Sequence, residues 1–150
     1  MTAQVAAAIT AESGKPVGLG KMPRSDDGVT PVLPPYHILY SIDSTFDGAP
    51  FTDENEDAHL VYQVTSVSGP DPEIPQSGGD QTQTEWLADK ARIALLGRNP
   101  TTGAWLHNIT APGYQCMSRG IDIEPGAVPD PADGIMSYVQ RFRFDLTPTT

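Results

Sequence analysis

Residues 135–146 carry the clearest alternation in the chain. Met136, Tyr138, Phe142, Phe144 and Leu146 fall on one side of an extended backbone, with Ser137, Arg141, Arg143 and Asp145 on the other. Successive side chains of a strand point to opposite faces, so this pattern predicts a long strand with one buried and one wet face. Residues 36–42 alternate too, Tyr36, Ile38, Tyr40 and Ile42 against His37, Leu39 and Ser41. In residues 59–67 (HLVYQVTSV) β-branched residues are frequent and apolar side chains fall on both faces, which predicts an interior strand. A further strand is expected over 114–123, with Met117, Ile121 and Ile123 on one side, and a short one around 17–19.

The period changes at residues 82–97 (TQTEWLADKARIALLG). Leu87, Ala91, Ala94 and Leu95 follow helical spacing and form one apolar stripe, flanked by Trp86, Lys90 and Ile93. Thr82-x-x-Glu85 reads as a capping box at its start. Gly97 reads as a left-handed C-terminal cap, with Arg98 beside the negative end of the helix dipole. Alanines in the stripe let such a helix lie close to a sheet. A second helix is expected over 2–13, where Val5, Ala8 and Ile9 share a face and Gly14 ends the run.

Between these elements lie segments rich in proline, glycine and acids, at 15–33, 43–57, 68–81 and 124–134. Trp105-Leu106 is expected to tuck under the sheet. The sum is an α+β domain, a mostly antiparallel sheet of three to five strands with one or two helices on one face. A single domain spans 1–150, with 1–33 as N-terminal helix and arm and 34–147 as the sheet-and-helix core. A chain of this length buries roughly 68–70% of its unfolded surface.

Composition narrows the function classes. The net charge is −10, against a nucleic-acid-binding face, which needs clustered Lys and Arg. An acidic chain can instead line a passage that DNA traverses without sticking. Fifteen prolines and fourteen glycines imply long connections between few regular elements. Cys116 is the sole cysteine, which excludes an intrachain disulfide and a cysteine metal cluster. The first residues lack the basic region of a signal peptide and are too short an apolar run for a membrane span, so a soluble protein of a reducing cytoplasm is expected.

Candidate chemistry is sparse. Asp53, Glu54, Glu56 and Asp57 cluster beside His59, a composition that hard cations use, but the spacing matches no calcium loop. It leaves one reading of a different class, a small metal-dependent hydrolase built on this loop and His59; a solvated acidic loop is the plainer alternative. His37, His59 and His107 lie on separate segments. A Ser-His-Asp relay using Ser41 or Ser66 lacks the G-x-S-x-G elbow that would support it. Phosphate-binding glycine motifs are absent, and Cys116 reads as a packed thiol. No catalytic residue, metal or cofactor is assigned. Trp86 and Trp105 read as core. Arg141 and Arg143, on the wet face of the last strand, either blunt an edge or keep the surface soluble, or pair with an acidic face of a second copy. The loop Phe46, Asp47, Gly48, Ala49, Pro50, Phe51 shows two aromatics around a turn, either an exposed apolar hairpin that a monomer has little reason to display or a loop whose Phe46 and Phe51 fold back on the sheet.

In order along the chain stand Pro35-Tyr36, the Phe-Asp-Gly-x-Pro-Phe run at 46–51, VYQVTSV at 61–67, Trp86-Leu87-Ala88-Asp89 and Leu95-Leu96-Gly97-Arg98. This succession resembles the tail terminator proteins of long-tailed, siphovirus-type bacteriophages. The resemblance spans residues 35–106 and extends to the strand at 138–146. It implies a non-enzymatic virion protein that forms a ring, commonly a hexamer, on the head-proximal end of the tail tube. Such a ring ends tube polymerisation and offers a surface to head-completion or connector proteins. The implied partners are further copies of the chain and the major tail tube protein, with DNA passing through the lumen unbound, no membrane, and assembly in the host cytoplasm. Phe46, Asp47, Gly48, Pro50, Phe51, Arg141 and Arg143 are then the candidate subunit or tube contacts. Another head–tail connector or tail-completion protein is the near alternative.

Overall fold

The computed structural model describes residues 1–46, 56–74, 76–130 and 132–149. In chain order the elements are α1 (Thr2–Ser13), β1 (Val17–Leu19), β2 (Tyr36–Phe46), β3 (Ala58–Ser68), α2 (Gln81–Leu96), β4 (Tyr114–Asp130) and β5 (Ile135–Pro148). The strands form one five-stranded sheet in the order β1-β2-β3-β5-β4, and both helices pack on one side of it. Only the β1–β2 pair is parallel. The α+β architecture expected from the hydrophobic pattern is the one found.

Register explains which face the helices cover. His37 and Leu39 of β2, Tyr62 and Val64 of β3, and Phe142 and Phe144 of β5 are cross-strand neighbours or share a face with them. Cross-strand partners point the same way, so these side chains form one layer. Leu39, Val64, Phe142 and Phe144 are almost wholly buried there, against Val5 and Ile9 of α1 and Ala91, Ala94 and Leu95 of α2. Tyr62 and Phe144 meet edge to face, with ring centroids 5.8 Å apart. Each such burial contributes about 1.5–3 kcal/mol. The helical stripe on α2 is therefore core, as its spacing predicts, and the alanines within it permit the close approach.

Both ends of α2 differ from expectation. The helix begins two residues earlier than the capping box implies, and its N-cap is Asp80, whose carboxylate accepts from the Thr82 amide at 3.1 Å. Glu85 is engaged by the Gln81 side chain instead of closing a capping box. Gly97 is extended (φ −63°, ψ 142°), not left-handed. A glycine is nonetheless required, because a Cβ there would lie 2.3 Å from the Ile93 carbonyl oxygen and 2.6 Å from Leu106 Cδ1. Removing the cap by Asp80→Ala is expected to cost about 1 kcal/mol, read as a fall in Tm of roughly 2–4 °C. By contrast α1 ends as predicted, on Gly14 in the left-handed region (φ 63°).

The strands run further than the pattern showed. β2 continues through Phe46, so the connection expected from residue 43 begins later. β4 extends to Asp130, across a stretch that reads as a proline-rich connection. Register shifts at Cys116/Ser118, Ile121/Ile123 and Ile123/Gly126 let β4 absorb its extra residues against β5. They also separate the three residues expected on one side. Met117 is skipped in the pairing, Ile121 pairs with Phe142, and Ile123 pairs with Arg141 on the opposite face.

Candidate functional site

Among the described residues, the sheet face opposite the helices carries no helix. Cross-strand rows build it. Tyr40, Gln63, Arg141 and Ile123 form one row, and Ile38, Thr65, Val139 and Gly126 the next. Arg143 neighbours Val61 and Gly120. Only the end near Tyr36 and Val67 is buried. The rest mixes half-buried aliphatics with exposed Ile123 and Val128.

Two cations sit in this apolar field. Arg141 donates from Nε to the Gln63 Oε1 at 3.2 Å. Arg143, about half exposed, has its Nε 3.3 Å from Asp145 Oδ1. Asp145 also accepts from Ser118 Oγ, and its Oδ1 lies 2.7 Å from His59 Nδ1. Burial pulls the Asp145 carboxyl upward, but the hydrogen bonds from Ser118 and His59 and the charge of Arg143 outweigh it and hold the group below its ordinary value. The edge-blunting reading of the two arginines does not apply, since β5 lies between β3 and β4.

These contacts also decide what the titratable groups can do. A nucleophilic relay needs the serine on the histidine and the acid behind it. Here the carboxylate of Asp145 stands between Ser118 and His59, which is the order of a structural clasp. His37 Nδ1 is 3.0 Å from Ser66 Oγ, but both are fully buried and no acid supports the ring. Ser41 is exposed on β2. His107 Nε2 pairs with Glu12 at 2.8 Å, tying the segment after α2 to α1. No group of three or more His, Cys, Asp or Glu able to hold a metal occurs among the described residues. Asp53 and Glu54 of the acidic loop lie outside those residues. Cys116 packs at the margin of the core, where its sulfur accepts from Arg119 Nε.

An open cleft of about 550 Å³ lies at the start of α2, lined by Pro34, Pro35, Pro70, Ser68, Asp80 and Gln83 among others. Its polar groups are spent on one another. Ser68 Oγ accepts from the Asp80 amide and donates to Gln83 Oε1, and Ser77 Oγ accepts from the Asp71 amide. The cleft is therefore the seam between the 69–80 connection and the body.

The predicted contact residues separate in space. Phe46 is exposed (54%) at the end of β2, where its register with Ala58 and Leu146 places it on the helix side. Arg141 and Arg143 are on the open side. Asp47, Gly48, Pro50 and Phe51 lie outside the described residues. Three features escaped the sequence reading. Trp86 is exposed (43%) on α2 beneath Lys90, not core. Trp105 does not tuck under the sheet; two guanidiniums lie over its ring, Arg98 Cζ at 3.7 Å and Arg119 Cζ at 4.6 Å from its centroid, and Leu106 beside it is exposed. The hairpin at 20–33 presents Met22, Val29 and Leu33 to solvent. Its apolar residues, spaced between prolines and acids, were the only signal.

No known protein-family model matches the chain, and no characterised protein sequence matches it either. Among the described residues no helix is long and apolar enough to cross a membrane.

Proposed function

We propose that this chain is a structural assembly protein that associates with copies of itself into a ring, and that the ring caps the head-proximal end of a bacteriophage tail tube. The observation that carries the reading is a sheet covered by helices on one face only. Its other face sets Arg141 and Arg143 among Val61, Val139 and Ile123. Exposed apolar patches rimmed by charge are what association surfaces look like. A second supporting feature is the set of exposed side chains outside that face, Phe46 at the strand end and Val29 and Leu33 on the hairpin. Different patches on one subunit suit heterologous contacts, which close into rings when the rotation allows. The likeness of residues 35–106 to tail terminators selects the tube cap from the many ring-forming assemblies. In that setting the net charge of −10 suits a lumen that DNA traverses without binding.

The test is tube assembly in the presence and absence of the chain. Purified tube protein polymerised with it is expected to give shorter tubes bearing a ring at one end in electron micrographs. Particles lacking the chain are expected to carry overlong tubes. Normal-length tails left unattached to heads would instead identify a head–tail joining protein.

A further inference from the structure

We propose that the hairpin of residues 20–33 in one copy docks on the open sheet face of a second copy, its Asp26–Asp27 turn meeting Arg141 and Arg143. This rests on the self-association contained in the reading above and names the elements that make the contact.

The hairpin is a built structure. Arg24 and Pro31 form an antiparallel bridge, and Ser25 donates its amide to Thr30 O at 2.8 Å. The Asp27 carboxylate accepts from the amides of Val29 and Thr30 at 2.8 and 2.9 Å, which fixes the turn and places Asp26 beside it at the tip. Pro23 is buried and Val32 half-buried, but three other apolar side chains stay largely open among the described residues. Val29 is 72% exposed, Leu33 69% and Met22 49%. Ordering an exposed hairpin around such residues has a physical reason if another surface takes them up.

The hairpin as a whole is neutral, Lys21 and Arg24 balancing Asp26 and Asp27, with Arg24 turned back onto Gly28 O; the open face complements the two carboxylates of the turn and the apolar side chains behind them. Arg141 is held by an amide oxygen and has no carboxylate among its hydrogen-bond partners, and Arg143 shares Asp145 with His59 and Ser118. Around them Val61, Val139 and Ile123 offer the apolar floor for Val29 and Leu33. A hairpin that leaves the sheet beside β1 and a receiving face centred on β5, three strands away, are separated by roughly 14 Å across the sheet. Donor and acceptor are thus different surfaces, and the contact is head to tail, the kind from which rings are made.

The test measures the association of the full chain by light scattering across a concentration series. Asp26→Lys, and separately Arg141→Glu with Arg143→Glu, are each expected to weaken self-association about tenfold or more. Placed together in one chain, the reversals are expected to restore it. Asp27 is left unchanged because it makes the turn. Val29→Ser with Leu33→Ser should weaken association as well, with an unchanged melting temperature at dilutions where the chain is monomeric, because both side chains are exposed in the single chain. Wild-type chains that stay monomeric at every concentration would overturn the docking. So would assembly indifferent to both reversals, although that result leaves the tube cap standing on other contacts. Association restored by the charge swap, in a protein without effect on tube length, supports the docking and removes the tube cap alone.

Discussion

Replacing Arg119 by methionine is expected to lower stability by about 4 kcal/mol, seen as a fall in Tm of roughly 8–16 °C. Arg119 holds main-chain carbonyls of two segments at once. Its guanidinium donates to Leu95 O in the last turn of α2 and to His107 O and Ile109 O in the segment beyond, at 3.0–3.3 Å. The same group lies against the faces of Trp105 and Phe144. Methionine keeps the apolar stem but leaves three partly buried acceptors without a donor. A hydrogen bond to a charged group is worth about 1.5–3 kcal/mol, and these three share one guanidinium, so their loss adds up to less than three separate bonds. Arg119→Lys should recover only part of the loss, since an ammonium is a point charge and cannot span three carbonyls in a plane. Urea denaturation of the two variants beside wild type measures both. Equal stability of all three would mean that the guanidinium is replaced by water at no cost.

That residue also marks where sequence reading stops. The strand at 135–146 was legible from its alternation, with Tyr138, Phe142, Phe144 and Leu146 inward against Ser137, Arg141, Arg143 and Asp145 outward, although inward Gln140 and outward Val139 break the pattern and the strand runs on to Pro148. The stripe on α2 was legible for the same reason. Both are periodic signals summed over many residues. β4 was legible only to Ile123, since beyond it Pro125, Gly126 and Pro129 carry the signature of a connection. What keeps that segment in the sheet is its register with β5, a contact between distant residues that no local period records. The caps failed on a finer point. Asp80 and Thr82 are both good N-caps, and the choice fell to the Ser68 hydroxyl, which accepts the Asp80 amide from across the fold. Arg119 could not be assigned a role, because its partners are carbonyl oxygens, which every residue has.

The candidate surface divides in the same way. Arg141 and Arg143 could be placed on the wet face by alternation alone. That β5 is interior, so the pair faces outward from the middle of a sheet instead of guarding an edge, required the strand order. Met22, Val29 and Leu33 gave no periodic signal at all. Their interest comes from exposure, which is a property of the folded chain.

Lowering the pH from 6.5 to 4 is expected to remove about 3 kcal/mol of stability through His37 alone. The imidazole is fully buried on the helix side of β2, and burial pushes its pKa down from 6.5 to about 4. The unfolded chain therefore binds a proton in this window that the folded chain refuses. Stability is complete above the unfolded value of 6.5 and falls as the pH drops toward 4, below which the loss is constant. The physical cause is plain at the atoms. Nδ1 is satisfied by Ser66 Oγ, whereas Nε2 has no hydrogen-bond partner, so protonation would create a charge in an apolar layer with an unpaired N–H on it. Replacing both partners, His37→Leu with Ser66→Ala, is expected to be close to neutral at pH 7.5, because the pair is removed together. The variant should lose only this part of the acid sensitivity. Acids held below their ordinary values, such as Asp145 and Glu124, still contribute at lower pH. Urea midpoints of the two proteins from pH 7.5 to 4 should therefore diverge steadily below pH 6.5, the wild type falling faster. Parallel curves would show that His37 takes up its proton inside the folded protein with no penalty.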